Sequence, residues 1–219
     1  MSRVPRLVLA SQSPARLVTL ESAGVVPRVI VSGVDEDRVL ADAAARFGEL
    51  DPADAVLVLA QAKAEEVAAR LEGAVDDAYV IVLGCDSMLE IEGAVLGKPA
   101  DAEAARTLWR SMRGGKGVLH TGHWLVDLRD HTSGGTGGTI GSTSSTTVWF
   151  ADIDDDEIDA YVATGEPLHV AGAFTIDGLG GPYIERIEGD HHGVVGLSLP
   201  LLRELLGELG VAWRDLRAS

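Results

Sequence analysis

Tyr79-Val80-Ile81-Val82-Leu83-Gly84-Cys85-Asp86-Ser87 decides the fold. Residues 79–84 form a near-continuous apolar run, the pattern of a central strand buried on both faces. Cys85-Asp86-Ser87 then places an acid at the expected carboxyl end of that strand. Functional sites of α/β sheets gather at such ends.

Working outward, residues 4–10 read as a buried strand, Ser11-Gln12-Ser13 as a turn, and residues 14–23 as a helix. Pro14 suits its first position and Ser13 its N-cap; Gly24 stops it. Residues 29–34 read as a second strand ending in Asp35-Glu36-Asp37. Asp51-Pro52 opens a long helix to about Glu72, with Val56, Ala60, Val67 and Leu71 on its apolar stripe. Residues 88–96 read as a hairpin turning at Glu92-Gly93, and Asp101 caps a helix to Met112. Residues 119–128 and 146–151 are expected to pair as antiparallel strands. The Gly/Ser/Thr-rich tract between them, about residues 131–146, is expected to be a flexible hairpin insertion. A helix over residues 154–163, a strand over 183–187 and a helix over 199–209 complete the chain. The pattern predicts an α/β domain with a mixed sheet.

Composition narrows the function. The chain has 219 residues, 46% hydrophobic and 24% charged, with a formal net charge of −16. Such acidity argues against a nucleic-acid polymer or a membrane surface as partner, since both select a basic face. A phosphate-bearing small substrate stays open, given a few placed Lys and Arg or a metal ion. One cysteine, Cys85, excludes an internal disulfide. No apolar run is long enough for a membrane span, and the N-terminal stretch is too short for a typical secretory signal. A cytoplasmic location is expected.

Four places can carry chemistry. Ser11-Gln12-Ser13-Pro14-Ala15-Arg16 brings hydroxyls, free backbone N–H groups and an arginine to a helix start, an arrangement suited to phosphate; a capped helix with a surface arginine reads the same. Glu36 and Asp86 each follow a predicted strand and together could hold Mg²⁺ or Mn²⁺, or take a proton from water; two solvated acids are the alternative. Lys63 falls inside the apolar stripe of the long helix, where it is either paired or snorkelling. Lys98, in Gly97-Lys98-Pro99, can point into a cleft. Gly114-Gly115-Lys116-Gly117 lacks Walker spacing and reads as a turn. The six histidines show no zinc spacing.

Taken together, LVLASQSPAR, VSGVDED, LAQAKAEEVA, IVLGCDSML, VLGKP, MRGGKGVLHTGH, YVATGEPLHVAGAF and IEGDHHGVVGLSLPLLRELL resemble the Maf family of nucleotide pyrophosphatases in order and separation. The resemblance spans nearly the whole chain. It implies a two-lobed single α/β domain with an elongated mixed β-sheet flanked by helices, often a homodimer. It implies hydrolysis of a nucleoside triphosphate to the monophosphate and pyrophosphate, with a divalent cation and a house-cleaning role toward non-standard nucleotides. Asp86 matches the family's catalytic acid, Glu36 an acid near the metal, and Lys63 the lysine of the helix motif. Ser11, Ser13 and Arg16 match the phosphate loop, and Lys98 matches the GKP lysine.

Three positions depart from the family pattern. Ala15 stands for the first of two arginines, Val170 for a lysine, and Asp177 for a glutamine. Ala15 and Asp177 fall where substrate selectivity is expected to be set, leaving pyrimidine nucleotides and a methylated guanine nucleotide as alternatives. Two rival functions remain at this level: a phosphatase releasing orthophosphate, and a nucleotide-binding regulator of cell division.

Overall fold

The computed structural model describes residues 5–71 and 79–217. Among the described residues, seven strands build one mixed sheet: β1 Arg6–Leu9, β2 Arg28–Val29, β3 Val80–Ile91, β4 Ala94–Leu96, β5 Lys116–Asp127, β6 Thr139–Phe150 and β7 Ile184–Glu188. Their order is β2-β1-β3-β5-β6-β7, with β4 paired to the far end of β3. β1 runs parallel to both β2 and β3, and the remaining pairs are antiparallel. Among the described residues, seven α-helices flank it: α1 Pro14–Ser22, α2 Glu36–Phe47, α3 Pro52–Leu71, α4 Ala102–Met112, α5 Asp155–Ala163, α6 His191–Val195 and α7 Leu199–Glu208. Three strands of 12 residues, β3, β5 and β6, give the sheet its elongated form.

Side-chain alternation along β3 assigns the layers. Gly84, Asp86 and Met88 face α3. Ile81, Leu83 and Cys85 face a core shared with Leu20 of α1 and Leu202, Leu205 and Leu206 of α7. Further along that same face, Leu89 enters a second core with Trp109, Phe150 and Tyr161. Trp109 meets Phe150 and Tyr161 edge-on at centroid distances of 5.9 and 5.4 Å, and donates its indole N–H to Ala173 O. One face of the sheet thus carries two apolar clusters, and a polar seam separates them.

On the opposite face α3 lies close because two strand positions lack a side chain. A Cβ on Gly84 would fall 2.1 Å from Ala60 O, and one on Gly122 would fall 2.4 Å from Val56 O. Both obstacles are helix backbone, so α3 itself would have to move. Gly84→Ala is therefore expected to destabilise the fold by about 1–3 kcal/mol, the usual range for overpacking, and to lift Lys63 from Asp86. Denaturant midpoints of wild type and variant check it; equal midpoints would contradict the close approach.

Several expected boundaries change. The second strand, expected over residues 29–34, is only Arg28–Val29, because its partner β1 ends at Leu9 and leaves nothing to pair with. Residues 36–47, of which only Glu36 and Asp37 carried a reading, as the end of that strand, form α2; Asp35 caps it by accepting from Arg38 N at 3.1 Å, and Gly48 ends it at φ +90°. The Gly/Ser/Thr tract is no flexible insertion over residues 131–146. Residues 139–149 pair with β5 along its length, and only about residues 128–138 form the turn. The small residues serve packing there: Gly141 lies under the Trp124 ring, and Thr143 Oγ1 donates to Ala53 O of α3. Val4 and Glu72, expected strand and helix limits, lie outside the described residues. Among the described residues, no helix is long and apolar enough to cross a membrane.

Candidate active site

The site forms where the sheet changes partners. β1 pairs with β3 up to Leu83, and β4 takes up the same edge at Leu89. Between those positions that edge of β3 has no strand partner among the described residues. Asp86 and Ser87 occupy the gap. Being consecutive, they point to opposite faces. Asp86 was expected just beyond the strand; it lies in its middle, because β3 continues to Ile91 after its parallel neighbour has turned away. The carboxyl end that matters is that of β1, which leads into Ser11.

On the α3 face, Lys63 reaches between two acids. Its Nζ lies 2.6 Å from Asp86 Oδ1 and 2.7 Å from Glu36 Oε1. Lys63 and Asp86 are each 8% exposed, so the lysine is paired rather than snorkelling. Glu36 is the first residue of α2, where a carboxylate is favoured by the helix dipole, and its side chain stays half exposed. Two carboxylates and one ammonium leave one net negative charge at the gap. Among the described residues, Glu36 Oε2 and Asp86 Oδ2 accept no protein hydrogen bond.

This donor set suits Mg²⁺ or Mn²⁺. Among the described residues no group of three His, Cys, Asp or Glu forms a protein cage for a metal. Mg²⁺ rarely needs one, since it binds through one or two carboxylates with substrate phosphates and water completing the shell. Glu36 and Asp86 supply hard oxygens at the gap in the β3 edge.

On the other face Arg16 is buried within a network. Its Nε donates to Gly196 O at 2.7 Å, Nη1 to Ser11 Oγ at 2.9 Å and Nη2 to Ser87 Oγ at 3.1 Å. Thr121 Oγ1 donates to Gly193 O at 2.8 Å, so Ser87 Oγ, 2.9 Å away, donates to Thr121 and accepts from Arg16. This chain is the polar seam between the two cores. Gly196 closes α6 at φ +118°, a conformation that favours glycine. The expected open fork of Arg16 toward phosphate is thus engaged by the protein itself, with two of five guanidinium N–H groups left over.

The first loop differs from expectation in one detail. Ser13 occupies the N-cap position without a side-chain capping bond; instead Ser11 Oγ accepts from Ser13 N at 3.2 Å. The first-turn N–H groups of Ala15 and Arg16 therefore face outward without an intrahelical acceptor, as at any helix start. Lys98 is exposed in the loop between β4 and α4, and among the described residues it makes no ion pair. Asp177 is also exposed, on a segment beside α1 and α6, and makes no contact with Lys63.

Two buried groups beside the site are inert. Burial pushes the Cys85 thiol up to about 12, only partly offset by Arg16, so it packs as a small apolar residue. Burial likewise pushes His123 down to about 4. The neutral ring donates from Nδ1 to Thr121 O and accepts Ser198 N–H at Nε2, fastening the start of α7 to β5.

Sequence reasoning missed Ser87, Thr121 and Gly196. Ser87 carried a signal: strand alternation beside a candidate acid puts the next side chain on the reverse face of the same edge. Thr121 and Gly196 come from distant strand and helix positions that only the fold brings together.

The chain is similar to several known proteins. A chain from Salinispora tropica named "Nucleoside triphosphate pyrophosphatase" is 56% identical over 94% of this chain and 84% of its own length. One of the same name from Streptomyces coelicolor is 53% identical over 97% of this chain and 95% of its own. Another from Mycobacterium ulcerans is 50% identical over 98% and 97%. The family model described as "Maf-like protein" matches residues 6–209, and the chain belongs to that family.

Proposed function

We propose that this protein hydrolyses a nucleoside triphosphate, standard or modified, to the monophosphate and pyrophosphate. The observation that carries the reading is Lys63, buried between Asp86 and Glu36 at the gap in the β3 edge beside the α1 N-terminus. The shared name of three relatives supports it.

Glu36 and Asp86 would hold Mg²⁺ or Mn²⁺, which when bound neutralises phosphate charge and polarises the phosphoryl oxygens. Asp86 orients a water, or takes its proton, for in-line attack on the α phosphorus. Lys63 fixes the Asp86 carboxylate and brings a cation to the phosphates. Ser11, Ser13 and the first-turn N–H groups of α1 bind phosphate oxygens, and Lys98 meets them from the β4–α4 loop. Arg16 serves from behind, bracing Ser11, Ser87 and Gly196 into one frame and adding positive charge. Asp177 belongs to the base side. Phosphoryl transfer asks for positioning and electrostatics, which this arrangement supplies without a nucleophilic side chain. The reading includes one catalytic domain acting in the cytoplasm as a homodimer.

Release of pyrophosphate from a panel of standard and modified nucleoside triphosphates, with Mg²⁺, Mn²⁺ or neither, tests this. Metal-dependent pyrophosphate without orthophosphate is expected. Orthophosphate as first product, or no turnover by folded protein, would overturn it.

A further inference from the structure

Outside the Lys63 cluster, three side chains that the nucleotide reaction does not use form a continuous relay. Ser145 Oγ lies 2.8 Å from His120 Nδ1, and His120 Nε2 lies 3.0 Å from Glu90 Oε2. The strand register brings them together. His120 of β5 stands opposite Ser145 of β6 on one side and Met88 of β3 on the other, and Glu90 follows Met88 by two residues on the same face. That face is the one α3 covers, and Ser145 lies two strand spacings across from Asp86, roughly 10 Å. The Glu90 carboxylate only accepts, so Nε2 of the neutral ring carries the proton and Nδ1 accepts from the Ser145 hydroxyl. His120 is buried and held at both nitrogens, whereas Ser145 is open to solvent.

A helix end adds a fourth part. α3 crosses the sheet diagonally: Ala60 lies over Gly84 of β3, Val56 lies over Gly122 of β5, and Ala53 O accepts from Thr143 of β6. Extended backwards, that line carries the α3 N-terminus toward Ser145, the next residue of β6 on this face. The N–H groups of Asp54 and Ala55 turn to Asp51 O, while that of Ala53 has no acceptor among the described residues. The positive end of a 20-residue helix and an unused N–H therefore lie toward the serine, where negative charge develops on a carbonyl oxygen during acyl transfer.

We propose that Ser145, His120 and Glu90 form a second catalytic site, which transfers the acyl group of a short-chain carboxylic ester to water. The geometry is the one that activates a serine: nucleophile and base within hydrogen-bond reach, and the base oriented by a third group. Ser145 Oγ attacks the ester carbonyl carbon as its proton passes to His120 Nδ1, and Glu90 stabilises the imidazolium. The bond to the alcohol oxygen then breaks, the alcohol leaves with the proton from His120, and the acyl group stays on Oγ. Water attacks the acyl-serine, giving one proton to the same ring; the carboxylic acid departs and that proton returns to Ser145. An uncharged acyl chain suits the surroundings, since Met88 and Val118 are half-buried beside His120 on this face and Glu90 disfavours an anion.

Two probes test the site: p-nitrophenyl acetate and a fluorophosphonate, which phosphonylates activated serines. Wild type is expected to turn over the ester and to carry the phosphonyl group on the peptide containing Ser145, read by mass spectrometry. Ser145→Ala, at an exposed position, should abolish both and keep the wild-type melting temperature. His120→Gln should slow acylation on the order of 10²–10⁴-fold, the range for loss of a general base. Because His120 is buried, Glu90→Gln repeats the test at a half-exposed position; it should slow acylation by up to ~10⁴-fold, as when the orienting acid of a serine hydrolase becomes an amide. No phosphonyl group on Ser145, ester turnover undiminished in Ser145→Ala, or acylation at the wild-type rate in folded Glu90→Gln would each overturn the proposal. Pyrophosphate release should be the same in Ser145→Ala as in wild type, and a parallel loss would contradict a separate site.

Discussion

Asp86→Asn lowers kcat for pyrophosphate release by roughly 10²–10⁴-fold, the range for loss of a general base, while the protein stays folded. The fold survives because Lys63 keeps Glu36 at 2.7 Å, and the new amide oxygen can still accept from its ammonium. What disappears is one of two carboxylate charges, so the site goes from one net negative charge to none. Both metal affinity and water activation should suffer. Raising Mg²⁺ separates them: it restores activity if only affinity was lost, and leaves kcat depressed if Asp86 also handles the water. Steady-state kinetics across a metal titration, beside a thermal melt, gives the answer. Near-wild-type kcat in a folded variant would remove Asp86 from the chemistry.

Arg129→Met is expected to cost the most stability of any single change considered, about 3–5 kcal/mol, the cost of leaving one member of a buried ion pair alone. Arg129 meets Asp127 through Nε at 2.8 Å and Nη2 at 2.9 Å, and Nη2 also donates to Leu209 O at 2.7 Å. Both side chains are almost fully buried. Thr136 adds its N–H and hydroxyl to Asp127 Oδ2. This knot ties the β5–β6 turn to the end of α7. Burial alone would raise the Asp127 carboxyl; the bonds from Arg129 and Thr136 outweigh it and hold the group below its ordinary value. A depressed carboxylate stabilises the fold above its unfolded value of about 3.9, and that contribution fades as pH falls below it. Wild-type stability should therefore drop in acid, and Arg129→Met should flatten that dependence. The double variant Asp127→Asn/Arg129→Met removes the stranded charge and should recover part of the loss. Urea denaturation at several pH values checks all three; a single variant within 1 kcal/mol of wild type, on the order of a surface substitution, would contradict the account.

Local chemistry was legible wherever it was strong. The apolar run at residues 80–83, the Asp101 cap with its bond from Ala104 N, and the Pro52 start of α3 all fall where pattern places them. Lys63 stood out because an ammonium on an apolar stripe needs a partner, and the partners are the two acids singled out with it. The failures share a cause. Strand β6 is written in Gly, Ser and Thr, a composition that signals flexibility until a neighbouring strand pairs with every residue. Strand β2 looked longer than it is because its length is set by β1. The Arg16 network joins residues 11, 87 and 196, a span no local reading can close. Helix α2 is a different case: Asp35, the acids behind it, the alanine-rich body and Gly48 were all present, and the strand expected before it obscured them.

Consecutive residues of β3 serve opposite sides of the sheet, and this bears on how the gene can change. Deleting or inserting one codon between Leu83 and Asp86 would exchange the carboxylate and hydroxyl sides, turning Asp86 toward Arg16 and the serine toward Lys63. Both partners would then face the wrong group, even in a chain that still folds. Drift in this strand is confined to substitution, whereas the turn between β5 and β6 can gain or lose residues at its exposed tip, provided the Asp127–Thr136 contacts persist. Length polymorphism among relatives should accordingly be absent from the stretch around Asp86 and concentrated near residues 131–134.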